Sequence, residues 1–207
     1  MQSPAYPHKR EIALWLGIYT LVLLWSAIAP KDRFIWFLEV TPALIGLVVL
    51  AATYRIFPFT RLTYWLILAH CIILMVGGHY TYAEVPLFDW IRETFGQQRN
   101  NYDKVGHLAQ GFIPAAIARE LLLRLEVIRG KAWLNFLVIC FVLALSAFYE
   151  MIEWWVAVAN GDDAVEFLAT QGYVWDTQSD MFMALIGGVA ALIVIAPWQD
   201  RQLSDHS

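Results

Sequence analysis

Apolar positions along the 207 residues gather into long blocks separated by short polar ones. Six blocks run roughly Ile12–Ala29, Phe34–Tyr54, Leu62–Gly78, Val105–Leu123, Ala132–Ala159 and Met181–Pro197. A helix that crosses the hydrocarbon core of a bilayer needs about 20 mostly apolar residues, with about 17 to 25 usual. Each block therefore predicts a transmembrane helix. Glu39 and Pro42 interrupt the second block and move its expected start to near Thr41. The first block also has the look of a signal peptide, with His8-Lys9-Arg10 ahead of it and Ala27-Ile28-Ala29 as a cleavage site. Its apolar run exceeds the about 7 to 15 residues of such a peptide, and Pro30 would follow the cut poorly. Retention as a helix is the expectation.

Composition agrees with lipid as the solvent. The chain is 59% hydrophobic and 15% charged, against about 25% charged in soluble domains, and its mean hydropathy is +0.54. The expected fold is an all-α polytopic bundle of about six transmembrane helices, one integral domain over residues 1–207 with the lipid bilayer as its partner. A net charge of −4 and the lack of a long basic run exclude nucleic acid as a partner. Cys71 and Cys140 each lie inside an apolar block and read as packed thiols rather than a disulfide.

Lysine and arginine in short loops set the expected orientation. With the N-terminus in the cytoplasm, nine fall inside (Lys9, Arg10, Arg55, Arg61, Arg119, Arg124, Arg129, Lys131, Arg201) and five outside (Lys31, Arg33, Arg92, Arg99, Lys104). The segment between the last two helices carries none. A multi-pass protein with both termini cytoplasmic follows.

That topology brings ionisable residues from four helix ends to the outer face. The third helix leaves through "GGHYTYAE" with His79 and Glu84, and the fourth enters with Asp103 and His107. The fifth leaves through "FYEMIEWW" with Glu150 and Glu153, and the sixth enters through "WDTQSDM" with Asp176, Gln178 and Asp180. Asp103 and His107 are four apart, as are Asp176 and Asp180, while Glu150 and Glu153 are three apart, so each pair shares a helix face. The same faces continue with Gln110, Gly111 and Pro114, with Ser146, and with Ala184 and Gly188. Small residues spaced by four allow close helix approach in membranes.

Charge balance sharpens the picture. From Ala132 to Asp200 there are eight acids and no lysine or arginine. A carboxylate at the bilayer centre costs about 2.5 to 3.5 kcal/mol on insertion scales, and gathered carboxylates repel one another. They must be protonated, hydrated or neutralised. Lys104 supplies one positive charge; a divalent metal would supply two. Asp103, His107, Glu150, Glu153, Asp176 and Asp180 are the candidate ligands, supported by His79, Glu84 and Gln178. Carboxylates with imidazole suit Zn²⁺, Mn²⁺ or Fe²⁺, and an all-oxygen subset suits Mg²⁺.

Plainer roles stand beside these. Asp103 is a favoured helix N-cap residue, although Gly106 leaves no reciprocal capping box. Thr177 to Asp180 matches the capping-box pattern. His79 and Glu84 fit a solvated helix end equally well. His70, alone in "WLILAHCIIL", reads as a hydrogen-bonded residue of the bundle, and Asp162, Asp163 and Glu166 read as a solvated loop. Trp90, Trp154, Trp155 and Trp175 suit an interfacial aromatic belt, and Glu120 with Arg124 an ordinary helix pair. Glu150 and Glu153 are harder to assign to structure alone, because a helix C-terminus disfavours negative charge.

The stretches "GGHYTYAEVPLFDW", "NYDKVGHLAQGF", "FYEMIEWWVAV" and "FLATQGYVWDTQSDMF", in this order, resemble the YjdF-like inner-membrane proteins of bacteria. The likeness covers the chain from about the third helix to the sixth. Tyr173 stands where members often carry an acid, and Ser179 where they often carry tryptophan; neither position is a candidate ligand. The resemblance implies a bacterial inner-membrane protein and supplies no substrate. Asp103-Lys104-x-x-His107 is also similar to one short motif of VanZ-like membrane proteins.

Three functions fit these residues. In the first, a periplasmic-face metal site supports hydrolysis or transfer on a lipid or cell-wall precursor. Glu150 or Glu153 would then act as base on a metal-bound water, with Lys104 steadying an anionic lipid-linked or small-molecule substrate. In the second, the acids serve a cation- or proton-coupled transporter, with His70 and Gln110 as steps. In the third, the protein is a scaffold without chemistry.

Overall fold

The computed structural model describes residues 6–160 and 170–204. Asp162, Asp163 and Glu166, expected in a loop, lie outside the described residues. Those described form eight helices and no strand: α1 Lys9–Ala27, α2 Arg33–Thr53, α3 Arg61–Tyr80, α4 Pro86–Phe95, α5 Tyr102–Arg124, α6 Lys131–Asn160, α7 Asp176–Val194 and α8 Ala196–Ser204. Five of them, α1, α2, α3, α6 and α7, are long and apolar enough to cross a membrane. The chain is an all-helical polytopic membrane bundle.

Local signals set the ends. Asp32 accepts the Ile35 amide at 2.8 Å and starts α2 at Arg33, well before the expected start near Thr41. Pro42 does not break this helix. Proline removes one ladder bond, which membrane helices tolerate within a bundle; here Val40 and Ala43 are buried on either side, and Thr41 Oγ1 donates to the Phe37 carbonyl at 2.6 Å. Thr60 caps α3, which stops at Thr81 in a left-handed turn (φ 62°). Pro86 opens the short α4, and Gly96 closes it at φ 65°. Helix α4 lies outside the six apolar blocks, and α8 begins at the end of the sixth and runs beyond it. α4 exposes Leu87, Trp90 and Phe95 on one side, as an amphipathic helix at a bilayer surface does.

Helix α1 belongs to the bundle. It packs on α3, where Trp15 Nε1 donates to the Tyr64 carbonyl at 2.8 Å, and Tyr19 Oη reaches the Ala43 carbonyl of α2 at 3.0 Å. Helix α5 runs through the middle, against α3, α6 and α7. Its polar residues are thereby enclosed by protein, which is why so polar a helix can exist in this setting. The α5–α7 contact is the closest. A methyl carbon added at Gly111 would fall 1.8 Å from the Ala184 carbonyl oxygen, and one at Gly187 would fall 2.1 Å from that of Leu108. Gly188, expected on the same face, meets Ile139 and Val142 of α6 instead. Both cysteines are free thiols.

At the end of the bundle away from the Asp103 turn, Glu120 is fully buried. It accepts from the Thr60 amide (2.8 Å), the Thr60 and Thr63 hydroxyls (2.9 and 2.6 Å) and Arg124 (3.0 Å). Gln199 of α8 joins this network through the Ala116 carbonyl at 2.8 Å, and Arg119 reaches Gln199 at 3.0 Å. Glu120 and Arg124 are thus more than a surface pair: they tie the start of α3 to the end of α5.

Candidate metal centre

The first turns of α5 and α7 bring their charges together at one end of the bundle. Asn101 precedes α5 without a side-chain cap bond, and Asp103 sits inside the first turn with its carboxylate turned to other side chains. The capping role considered for Asp103 is absent. Oδ1 of Asp103 lies 3.3 Å from His107 Nε2, and Oδ1 of Asp180 lies 3.9 Å from the same nitrogen. One ligand atom from each of the three side chains falls within 4.8 Å of the others, and all three residues are buried.

The second ring nitrogen of His107, Nδ1, is 3.1 Å from Gln110 Oε1 and 3.7 Å from Glu150 Oε1. Glu150 is buried, and its Oε1 has no hydrogen-bond partner among the described residues. Thr177 lies within α7, and Trp175 precedes the helix without a side-chain cap bond, so the Thr177–Asp180 capping box does not form. Asp180 engages Lys104 instead, with Nζ 2.5 Å from Oδ1. Lys104 also reaches Asp176 Oδ1 at 2.8 Å, where Arg99 meets the same oxygen at 2.5 Å. Arg99 extends to Asp103 at 3.4 Å. The Tyr173 ring stands near both cations, at 5.7 Å from Arg99 and 5.8 Å from Lys104. Helix α7 starts at Asp176, ahead of the expected Met181, because its first-turn acids gain these partners and suit a helix N-terminus.

The other predicted residues take other places. Glu153 is half-buried and lines a cavity beside the cluster, and Gln178 is exposed. His79 bonds through Nδ1 to the Ser26 carbonyl at 3.0 Å and packs against Trp25 and Tyr80. Glu84 pairs with Lys31. His79 and Glu84 thus tie α1, α2 and α3 together, and neither is brought to Asp103 and His107.

The cavity is about 130 Å³ and extends from Asp103 and His107 past Gln110 to His70, with Glu39, Tyr82 and Tyr149 on its walls. Tyr149 Oη donates to Glu39 Oε2 over 3.4 Å. Tyr82 follows Thr81 in the left-handed region (φ 50°), which folds its ring back over α3. That ring fills the space a side chain would need at Gly77 and Gly106, where an added methyl carbon would lie 2.1 and 2.8 Å from it.

Sequence reasoning missed Arg99, Glu39 and Tyr149, and placed Tyr82 at the outer end of the third helix without a role. Arg99 counted only as a loop charge, and Glu39 only as an interruption. An acid inside an apolar block is itself a signal of function in membranes, so Glu39 was findable. The two tyrosines gave no such signal.

Residues 12–201 match the family described as "Predicted membrane protein (DUF2238)". The chain is also 51% identical over 184 residues to the inner membrane protein YjdF of Escherichia coli (strain K12), covering 89% of this chain and 88% of that one. No solved structure matches. The family match over nearly the whole chain and the agreement with an inner membrane protein join the helical bundle described above: this protein is a multi-pass inner-membrane protein of the DUF2238 family.

Proposed function

We propose that the cluster is a divalent-metal site at the periplasmic face, with Asp103, His107 and Asp180 as its protein ligands. The observation that carries this reading is the convergence of three buried ligand atoms, with His107 Nε2 at 3.3 and 3.9 Å from the two carboxylate oxygens. Zinc-type bonds of about 2.0 to 2.2 Å in a tetrahedron put ligand atoms about 3.3 to 3.6 Å apart; the 3.3 Å spacing matches, and the 3.9 Å spacing, in a group that falls within 4.8 Å, would contract on binding. Gln110 supports the same assignment. A ligating histidine usually donates its other ring N–H to a nearby oxygen, and Gln110 Oε1 at 3.1 Å from Nδ1 is such an acceptor. One nitrogen and two carboxylates suit Zn²⁺, Mn²⁺ or Fe²⁺, while Mg²⁺ would rest on the carboxylates.

The charge inventory favours a cation as well. Among the described residues, Asp103, Asp176, Asp180, Glu150 and the nearby Glu153 and Glu39 meet only Arg99 and Lys104 as permanent positive charges. Within this reading the metal would polarise a bound water and Glu150 would be the general base, its Oε1 being buried, without a hydrogen-bond partner among the described residues and 3.7 Å from His107 Nδ1. Asp176 holds Lys104 and Arg99 at the rim, where they steady an anionic group. The activity is metal-assisted hydrolysis or transfer on a lipid or cell-wall precursor presented at the membrane surface. The positive-inside bias places both termini in the cytoplasm.

Metal content of the purified protein, measured by mass spectrometry, tests the site. Near-stoichiometric metal that is lost in Asp103→Ala, His107→Ala and Asp180→Asn is the expected result. A folded parent without metal would overturn the reading. A second reading, a cation- or proton-coupled carrier, draws on the cavity that leads inward to His70 and Gln110; flux in proteoliposomes without bound metal would favour it.

A further inference from the structure

The cavity beside the cluster is closed behind by α3 and α5 and flanked by α2 and α6. The two flanking helices do not pack on each other as neighbours do here: α2 lies on α3, and α6 lies on α5 and α7. Across the gap, Tyr149 on α6 reaches Glu39 on α2 by the 3.4 Å hydrogen bond. Pro42 and Leu145 line the cavity from the two sides. At 1.5 Å per residue, Glu39 and Pro42 lie about 9 and 14 Å into α2 from Arg33, at the depth of the hydrocarbon core. A gap at that depth faces lipid.

The cavity's charge differs from that of the cluster. Lys104 and Arg99 are engaged with Asp176 and Asp180 on the α7 side, and no lysine or arginine lines the cavity. Of its carboxylates, Asp103 is paired with His107 and Arg99, which leaves Glu39 and Glu153. Glu39 is 5% exposed, and the long Tyr149 bond is its only hydrogen bond among the described residues. Glu153, half-buried, lines the same cavity. A buried carboxylate with so little compensation requires a cation or a proton. The rest of the wall is mixed: His70, His107 and Gln110 are polar, while Pro42, Leu74, Leu145 and the rings of Tyr82 and Tyr149 are apolar or aromatic. Carboxylates with aromatic faces suit an organic ammonium; a hard inorganic cation would demand a fuller shell of oxygens.

We infer that this cavity is a binding site for an amphiphile with an ammonium head, which enters from the bilayer between α2 and α6. Its head lies between Glu39 and Glu153 against Tyr82 and Tyr149, and its apolar tail leaves past Pro42 and Leu145 into lipid. The cavity shares Asp103 and His107 with the proposed metal site, but Glu39, Glu153 and the lateral gap are not among the three proposed ligands, so the two readings can fail separately.

The test uses the full chain in phosphatidylcholine nanodiscs, with radiolabelled dodecylammonium as probe and empty nanodiscs subtracted. Saturable binding is expected. It should weaken by about tenfold or more in Glu39→Gln and in Glu153→Gln, as removal of one partner of a buried charge pair does. Leu145→Trp, which closes the gap, should weaken it too, and Glu93→Gln on the exposed part of α4 should not. Should Glu39→Gln fail to fold, Leu145→Trp and Glu153→Gln still decide. Binding no greater than to empty nanodiscs, or unchanged in all three variants, would overturn the inference, as would tighter binding of dodecylphosphate. Metal content is read on the same samples. Metal retained with no ammonium binding defeats this inference alone, and ammonium binding without metal defeats only the metal reading.

Discussion

His107 Nε2 lies 3.3 Å from Asp103 Oδ1, one helical turn away on α5, while its Nδ1 lies 3.1 Å from Gln110 Oε1. One imidazole thus joins the acid at the membrane face to an amide one turn deeper. The arrangement fixes which nitrogen is available for a metal, and Gln110→Leu removes that control. Metal affinity should fall by about 10- to 100-fold, the usual cost of losing such a partner, with the helical fold retained. Competition with a chelator of known affinity, followed beside circular dichroism, measures both.

Lys104 occupies the oxygen of Asp180 that the metal would use, at 2.5 Å. On the proposed metal reading, ammonium and metal would compete for one carboxylate. Lys104→Gln should lower the melting temperature of metal-free protein, because Asp176 and Asp180 lose a counter-charge. It should also enlarge the rise in melting temperature on adding Zn²⁺ or Mn²⁺, since ligand binding stabilises by mass action. Thermal scans with and without metal read both effects.

Gly111 and Gly187 let α5 and α7 touch through backbone, with an added methyl carbon only 1.8 and 2.1 Å from carbonyl oxygens. Either glycine changed to alanine must push the helices apart. Overpacking costs about 1 to 3 kcal/mol when side chains can yield, and these contacts are backbone, so about 3 kcal/mol or more is expected. Because α7 carries Asp180, the metal should be lost together with stability. Gly17→Ala and Gly46→Ala meet nothing within 4 Å and should change neither. Detergent melting curves and metal analysis separate the two pairs.

Glu120 is buried at the opposite end, with Thr60, Thr63 and Arg124 as donors. Glu120→Ala would strand the Arg124 charge and the Thr60 amide. Loss of one partner of a buried pair costs about 3 to 5 kcal/mol. The variant should unfold earlier in denaturant, yet hold metal in whatever fraction remains folded. Equal loss of metal per folded molecule would show that the two ends are coupled.

Orientation is open to a direct measurement. In a Cys140→Ser background, with Cys71 buried, Glu93→Cys on α4 should react with a membrane-impermeant maleimide in intact cells. Arg129→Cys, in the turn between α5 and α6, should react only after permeabilisation. The reverse pattern would invert the topology and move the cluster to the cytoplasmic face.

The apolar blocks by themselves determined that the chain is a helical membrane bundle, because nothing else keeps runs of this length in lipid with every backbone group paired. Helical spacing likewise paired Asp103 with His107, and charge balance drew Asp176, Asp180 and Glu150 toward them. Helix starts were less legible. Asp32 begins α2 through a cap, and Pro42 is carried inside the helix by its neighbours, both matters of local geometry that composition does not weigh. Partner choice was decided by tertiary structure alone. Lys104 and Arg99 meet Asp176 only because α5 and α7 approach through glycines, and His79 and Glu84 turn to Ser26 and Lys31 because α3 ends against α1 and α2. Glu39 and Tyr149, 110 residues apart in the chain, meet across a gap that no local pattern encodes. Periodicity sees one helix at a time, whereas a cavity is made by what several helices fail to fill.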